Sequence, residues 1–319
     1  MVFRVHVPLL CRAALLSVAI VASPCIALAG DQVSVTAEMG VIDIEANEYV
    51  YSGSSKISQL IWQSRSPAAT GQVDIPLRDG WGLRVEGTVA WGTVAWGGDG
   101  YMEDYDWLAP YATGTGPDDW SHRSQHPDTR LDHHFSADLA VTRTLYEDEG
   151  ASVGLRGGAR YTDTQWTAYG GTYLYSVGGF RDTPGSIGDG VMGITYRQTI
   201  PEIYQALDAE MTEGALTLRL SGRVGVAIGA KGDDDHWLRD LNFLDVWYPI
   251  PTAGVEAGAE LALGERAALT ASAGLDKVFA TRADTIVTDT LTDLSATFPN
   301  GGGGDYRSIR LSAGLKGSF

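Results

Sequence analysis

The chain has 319 residues, with 40 acidic and 23 basic side chains and a formal net charge of −17. A surplus of that size repels nucleic acid, which is excluded as a partner, and gathers cationic ligands. The only cysteines are Cys11 and Cys25, so the body of the chain has no disulfide, thiol nucleophile or cysteine-bound metal.

The first element is a leader. Arg4 and Arg12 precede a largely apolar run from Ala13 to Ala22, and Ala27-Leu-Ala29 closes it with small residues. This pattern predicts a secretory signal peptide over 1–29 and a single mature domain over 30–319. Pro24 before Cys25 argues against a lipoprotein signal. Cleavage lowers Lys plus Arg from 23 to 21 against 40 acids, a mature net charge of −19. No later stretch is apolar for long enough to form a membrane helix, which leaves a barrel as the way to cross a bilayer.

The mature chain then alternates apolar and polar residues with a period of two. Examples in chain order are Val33/Val35/Ala37/Met39, Trp81/Leu83/Val85, Val153/Leu155/Ala159/Tyr161, Leu216/Leu218/Leu220, Val255/Ala257/Ala259 and Ile309/Leu311/Ala313. Such alternation marks strands with one apolar face. Four turn signals separate the segments: Ser66 to Gly71, Glu147 to Gly150, Thr212 to Gly214 and Gly264 to Arg266. They divide the chain into five hairpin-sized blocks, hence ten strands. The expected fold is all-β: a transmembrane, antiparallel, up-and-down β-barrel with short periplasmic turns and long extracellular loops. A secreted β-sandwich also alternates. The leader, the even strand count, terminal Phe319 and aromatics at segment ends (Trp81, Trp91, Trp96, Tyr173, Tyr175, Trp247, Tyr248) favour the barrel. Charged residues such as Arg156, Arg160, Arg219, Arg223, Glu256 and Glu260 then point into the lumen and pair there. Gly301 to Gly304 reads as a loop tip.

Two stretches carry chemistry. Asp104 and Asp106 stand at i and i+2 in the second hairpin, and Asp234 and His236 do so in the fourth. On an extended backbone each pair shares a face. The topology assigns both to loops at the same end, where closure brings them across one mouth. Two close carboxylates cannot both ionise freely, and a carboxylate beside a histidine fixes its tautomer. A water between the pairs would have a base beside it and an acid opposite. Alone, Asp-x-Asp is a solvated loop or a calcium ligand, and Asp-Asp-Asp-His an acidic turn. His133-His134 point to opposite faces and suggest no metal. No Gly-x-Ser-x-Gly elbow supports a serine nucleophile.

At these residues the sequence resembles the omptin family of outer-membrane proteases. The matching pieces are Lys56-Ile-Ser-Gln-Leu-Ile-Trp62, Met102-Glu-Asp-Tyr-Asp-Trp107, Trp120 with His126-Pro-Asp-Thr129, Gly170-Gly-Thr-Tyr-Leu-Tyr-Ser176, Gly179-Phe-Arg-Asp182 and Asp234-Asp-His236. The resemblance implies an endopeptidase at the cell exterior, with Asp104, Asp106, Asp234 and His236 catalytic and no metal or cofactor. It also implies a substrate pocket for basic residues lined by acids, one of them at Glu48. The family's second pocket acid falls on Gly232 here, with Asp233 beside it as the remaining substrate-binding candidate. Lipopolysaccharide, a partner of the family through basic residues on the barrel wall, meets a degraded motif, with Gln165 and Thr199 where arginines are expected. The rival readings are a non-enzymatic adhesin or invasin barrel and a small porin, which conductance would reveal.

Overall fold

The computed structural model describes residues 32–92, 99–112, 114 and 116–319. The expected leader, 1–29, and Trp96 lie outside the described residues. The described strand segments are β1 Ser34–Ser52, β2 Ser55–Pro76, β3 Trp81–Ala90, β4 Gly100–Asp106, β5 His122–Glu147, β6 Ala151–Tyr175, β7 Thr183–Glu213, β8 Leu216–Ala227, β9 Lys231–His236, β10 Leu241–Trp247, β11 Ile250–Ala262, β12 Ala267–Asp289 and β13 Leu294–Ser318. β3 and β4 both bridge β2 and β5. β8 and β9 share β7, and β10 and β11 share β12, so each of these three couples acts as one strand. The thirteen segments therefore fill ten positions, and β1 pairing β13 closes the antiparallel ring. The ten-stranded up-and-down barrel expected from the alternation is the observed fold.

Near the end that holds Phe319, outward side chains form an apolar band: Leu139, Leu155, Ile203, Leu220, Val255 and Leu311 are all exposed. In a soluble protein such a surface would be costly; in a bilayer it is the solvated face. β5 alone has 26 residues, and a tilted strand crosses a membrane in about 9–11. The strands thus continue well beyond the apolar band. Among the described residues no helix is long and apolar enough to cross a membrane.

Three layers fill the barrel. At the level of the apolar band lie ion pairs: Arg156 with Asp208, Arg160 with Asp138 and Asp276, Arg219 with Glu260, and Arg223 with Glu202 and Asp276, at 2.6–3.3 Å. Above them Trp62, Trp166 and Tyr196 stack across the lumen, with Trp62 and Tyr196 centroids 5.5 Å apart. All three are buried, and Trp166 Nε1 donates to Ser64 Oγ at 3.1 Å. The third layer, at the rim opposite Phe319, holds the candidate site.

Several local expectations are corrected. Ser66 to Gly71 is not a turn but the middle of β2. Among the described residues the β2–β3 ladder ends at Ala68–Ala90 and the β2–β4 ladder at Ser64–Gly100, and Pro67 falls between them. The turn instead follows at Arg78–Gly80, where Asp79 and Gly80 have φ of 60° and 71°. The signals at 147–150, 212–214 and 264–266 do separate strands. Gly301 to Gly304 is no loop tip: Gly302, Gly303 and Gly304 are buried inside β13. Most of the polar stretches read as long loops are strand; β1 and β2 are joined through Gly53 and Ser54 alone. Trp81, Trp91 and Tyr248 face outward as expected of an interface belt, whereas Trp247 is buried in the lumen.

Candidate active site

Asp104 and Asp106 lie on β4 rather than in a loop, and Asp234 and His236 on β9. The alternation that puts Leu60 and Met102 inward puts both pairs inward as well. Ladder register sets their heights. Glu48 on β1 pairs Leu60 on β2, which pairs Asp104, which pairs Ser124 on β5. Glu48 and Asp104 therefore share one row above the aromatic layer.

On β9, His236 Nε2 lies 2.7 Å from Asp234 Oδ2, and its ring meets Phe243 edge-on at 5.1 Å. A carboxylate only accepts, so the neutral ring carries its proton on Nε2 and leaves the Nδ1 lone pair free. Burial would pull the imidazole pKa down, but the charge and hydrogen bond of Asp234, with the charge of Asp104, raise it above 6.5. Across the cleft, burial first and Asp106 second push the Asp104 carboxyl up to about 8; Asp234 adds to the rise, while His236 and Ser58 oppose it. Ser58 Oγ donates to Asp104 Oδ1 at 3.3 Å. Burial also raises Asp106, against the pull of Ser58, His122, Arg239 and His236. The carboxylate pair and the dyad, distant in sequence, thus act on one another electrostatically.

Glu48 is buried beside Asp234 and held well above the ordinary carboxylate range, by burial first and then by the charges of Asp234, Asp245 and Asp104. Glu48 Oε2 and Asp234 Oδ1 have no other buried partner. A proton on Glu48 donated to Asp234 satisfies both.

Asp233 does not join the site. As a strand neighbour of Asp234 it points to the opposite, outer face, where Asn242 Nδ2 donates to it at 2.7 Å. Conversely, five groups that the sequence did not assign to the site face the cleft: Ser58, His122, Arg239, Asp245 and Tyr175, the last expected in the interface belt. Asp245 had a legible signal, an acid on the same phase as Leu241, Phe243 and Trp247 in β10. The others become visible only through cross-strand register. His133 and His134 do split as expected: His133 faces Asp163 at 3.0 Å and His134 is buried against Thr164 at 2.8 Å. Among the described residues no group of His, Cys, Asp or Glu side chains is arranged to hold a metal ion.

The family model of the Omptin family matches residues 29–319. Among known proteins, the plasminogen activator of Yersinia pestis is 29% identical over 216 residues, covering 67% of this chain and 65% of its own length. The outer membrane protease OmpP of Escherichia coli is 26% identical over 294 residues, 91% of each chain. Among solved structures, the outer membrane protease OmpT of Escherichia coli superposes with a TM-score of 0.81 at 23% identity, covering 92% of this chain and 99% of that one.

Proposed function

The chain belongs to the Omptin family, and with that membership comes its class, an outer-membrane protease; we propose that it hydrolyses peptide bonds beside basic residues, using a water held between Asp104 and His236. The observation that carries this reading is that the Asp104–Asp106 pair on β4 and the Asp234–His236 dyad on β9, hydrogen-bonded at 2.7 Å, both face inward at one rim. In the reaction, Nδ1 of neutral His236 takes a proton as the water oxygen attacks the carbonyl carbon. Asp234 stabilises the resulting imidazolium, as the carboxylate of a triad does. Asp104, still protonated near neutral pH, faces the reacting group as the acid that can supply a proton to the departing amine. Asp106 keeps that proton in place, because two adjacent carboxylates resist losing both. No step calls for a cofactor.

Glu48 provides a carboxylate for a basic substrate side chain, and the acidic surface concentrates cationic peptides near the rim. The active site faces the cell exterior, since it lies at the end opposite Phe319. Intact cells producing the protein should cleave a fluorogenic Arg-Arg peptide in the medium and spare a citrulline analogue. Equal cleavage of both, or cleavage only after lysis, would contradict this reading.

Lipopolysaccharide is a looser partner here. On the outer wall Gln165 pairs across the ladder with Arg197, which binds Asp163 at 2.8 Å, and Gln165 itself donates to Asp132 at 3.0 Å. One guanidinium already neutralised by a carboxylate holds a phosphate less firmly than two free ones. Purified protein should therefore cleave without added lipopolysaccharide; strict inactivity until it is supplied would contradict this.

A further inference from the structure

The row beneath the dyad runs Gln198, Gly232, Asp245, Thr285 across β7, β9, β10 and β12. Gly232 occupies the place where the resemblance puts a second pocket acid. That place cannot take a side chain as the protein is built: a Cβ there would stand 2.9 Å from the Tyr196 hydroxyl and 3.2 Å from its ring. Asp245, directly across the ladder, brings a carboxylate to the same height from the neighbouring strand. Thr285 Oγ1 donates to its Oδ1 at 2.5 Å and the Gly303 N–H to its Oδ2 at 3.1 Å. Room for it comes from β13, because a Cβ on Gly302 would lie 2.1 Å from Asp245 Oδ1.

The surroundings of this carboxylate point to a cation. Asp245 is buried, and the carboxylates of Asp234, Asp245 and Asp104 act on Glu48 while that of Asp234 acts on Asp245. One acceptor nearby is buried without a partner, Gln198 Oε1, at 0% exposure, and Glu48 Oε2 is satisfied only while Glu48 keeps the proton it shares with Asp234. Buried acceptors without donors are costly unless a ligand supplies them. A guanidinium brings five N–H donors and a positive charge.

We propose that Asp245, together with Glu48, forms the pocket that holds the cationic side chain next to the scissile bond, its carboxylate having crossed the β9–β10 ladder from position 232. This rests on the protease reading above and names the residue that sets its specificity. Entry of the cation lets the pocket carboxyls give up their protons and accept its N–H donors instead of repelling one another.

The test measures kcat/KM for three peptides that differ only in Arg, Lys or neutral citrulline at that position. In Asp245→Asn the preference for Arg over citrulline should fall about ten- to hundredfold, mainly through KM, the loss of one charge-assisted contact. Asp245→Glu should keep part of the preference. Thr285→Val, which only withdraws the hydroxyl holding Asp245, should lower it less and serves if Asp245→Asn fails to fold. An unchanged Arg-to-citrulline ratio in any folded variant lacking the Asp245 carboxylate or its Thr285 anchor overturns the assignment while leaving the protease intact. A wild type that cleaves none of the three peptides overturns the protease reading and this one with it.

Discussion

His236 can act as a base only while its ring is neutral, and its raised pKa puts that condition above 6.5. Activity is lost as pH falls through the folded pKa, so the acid limb of kcat/KM should lie above 6.5. The alkaline limb should lie near 8, where Asp104 gives up its proton; both limbs belong to the coupled set rather than to one residue. Asp234→Asn removes the charge that raises the imidazole, so the acid limb should move to lower pH as kcat falls about 10³–10⁴-fold. An unmoved limb would contradict the role given to Asp234. Asp104 also weighs on stability. A carboxyl whose folded pKa is raised favours the fold while protonated and opposes it as pH climbs from its unfolded value of 3.8 to about 8. Asp104→Asn should therefore raise the thermal unfolding midpoint at pH 9, measured by the mobility shift of heated barrels on gels, and abolish cleavage. At this scale the sequence made the four catalytic candidates legible because i, i+2 spacing on a strand survives any fold. Asp233 is next to Asp234 along the chain but on the other face of the strand, so nearness in sequence is no guide to the site there. Asp245 was legible from its phase with Phe243 and Trp247, but its place beside Gly232 was not, because the two are adjacent only across a ladder.

The elements place these residues by register. β4 and β9 are short segments of 7 and 6 residues above the apolar band, each held between two longer strands. Catalytic groups on paired strands are better fixed than groups on loops. The buried glycines of β13 serve the same end. A Cβ on Gly304 would lie 2.3 Å from the Trp247 ring and 2.7 Å from the Asn47 carbonyl, so Trp247 can fill the lumen beside Glu48 only over a glycine. Gly304→Ala should destabilise the barrel by about 1–3 kcal/mol through overpacking and lower cleavage with it. A heat-shift midpoint and rate equal to wild type would contradict the packing argument. The sequence showed that strands exist and how many, because period-two alternation is written in single residues. It misled on Ser66 to Gly71 and Gly301 to Gly304, where Pro sits within a long strand and Gly reflects crowding inside the lumen rather than turns.

For the whole molecule, a barrel of ten strands must fill its own interior, and this one does so with charge. Arg223 is 8% exposed in its side chain and bridges Glu202 and Asp276. Arg223→Ala leaves two carboxylates without that guanidinium and should cost about 3–5 kcal/mol. Arg65→Ala, by contrast, breaks a pair with Asp43 whose arginine is 77% exposed, and should cost under about 1 kcal/mol. Similar midpoints for the two variants would refute the lumen as a structural ion network. The filled interior also separates this barrel from a porin, and planar bilayers should register no steady conductance. The central claim remains that Asp104 and His236 together activate water. It is tested most directly by the kcat of purified, refolded wild type, Asp104→Ala and His236→Ala on one Arg-Arg peptide, with the double variant beside them. Each single variant should lose at least about 10³-fold, the double little more, with folded barrels throughout. Cleavage near the wild-type rate in either folded single variant would contradict it.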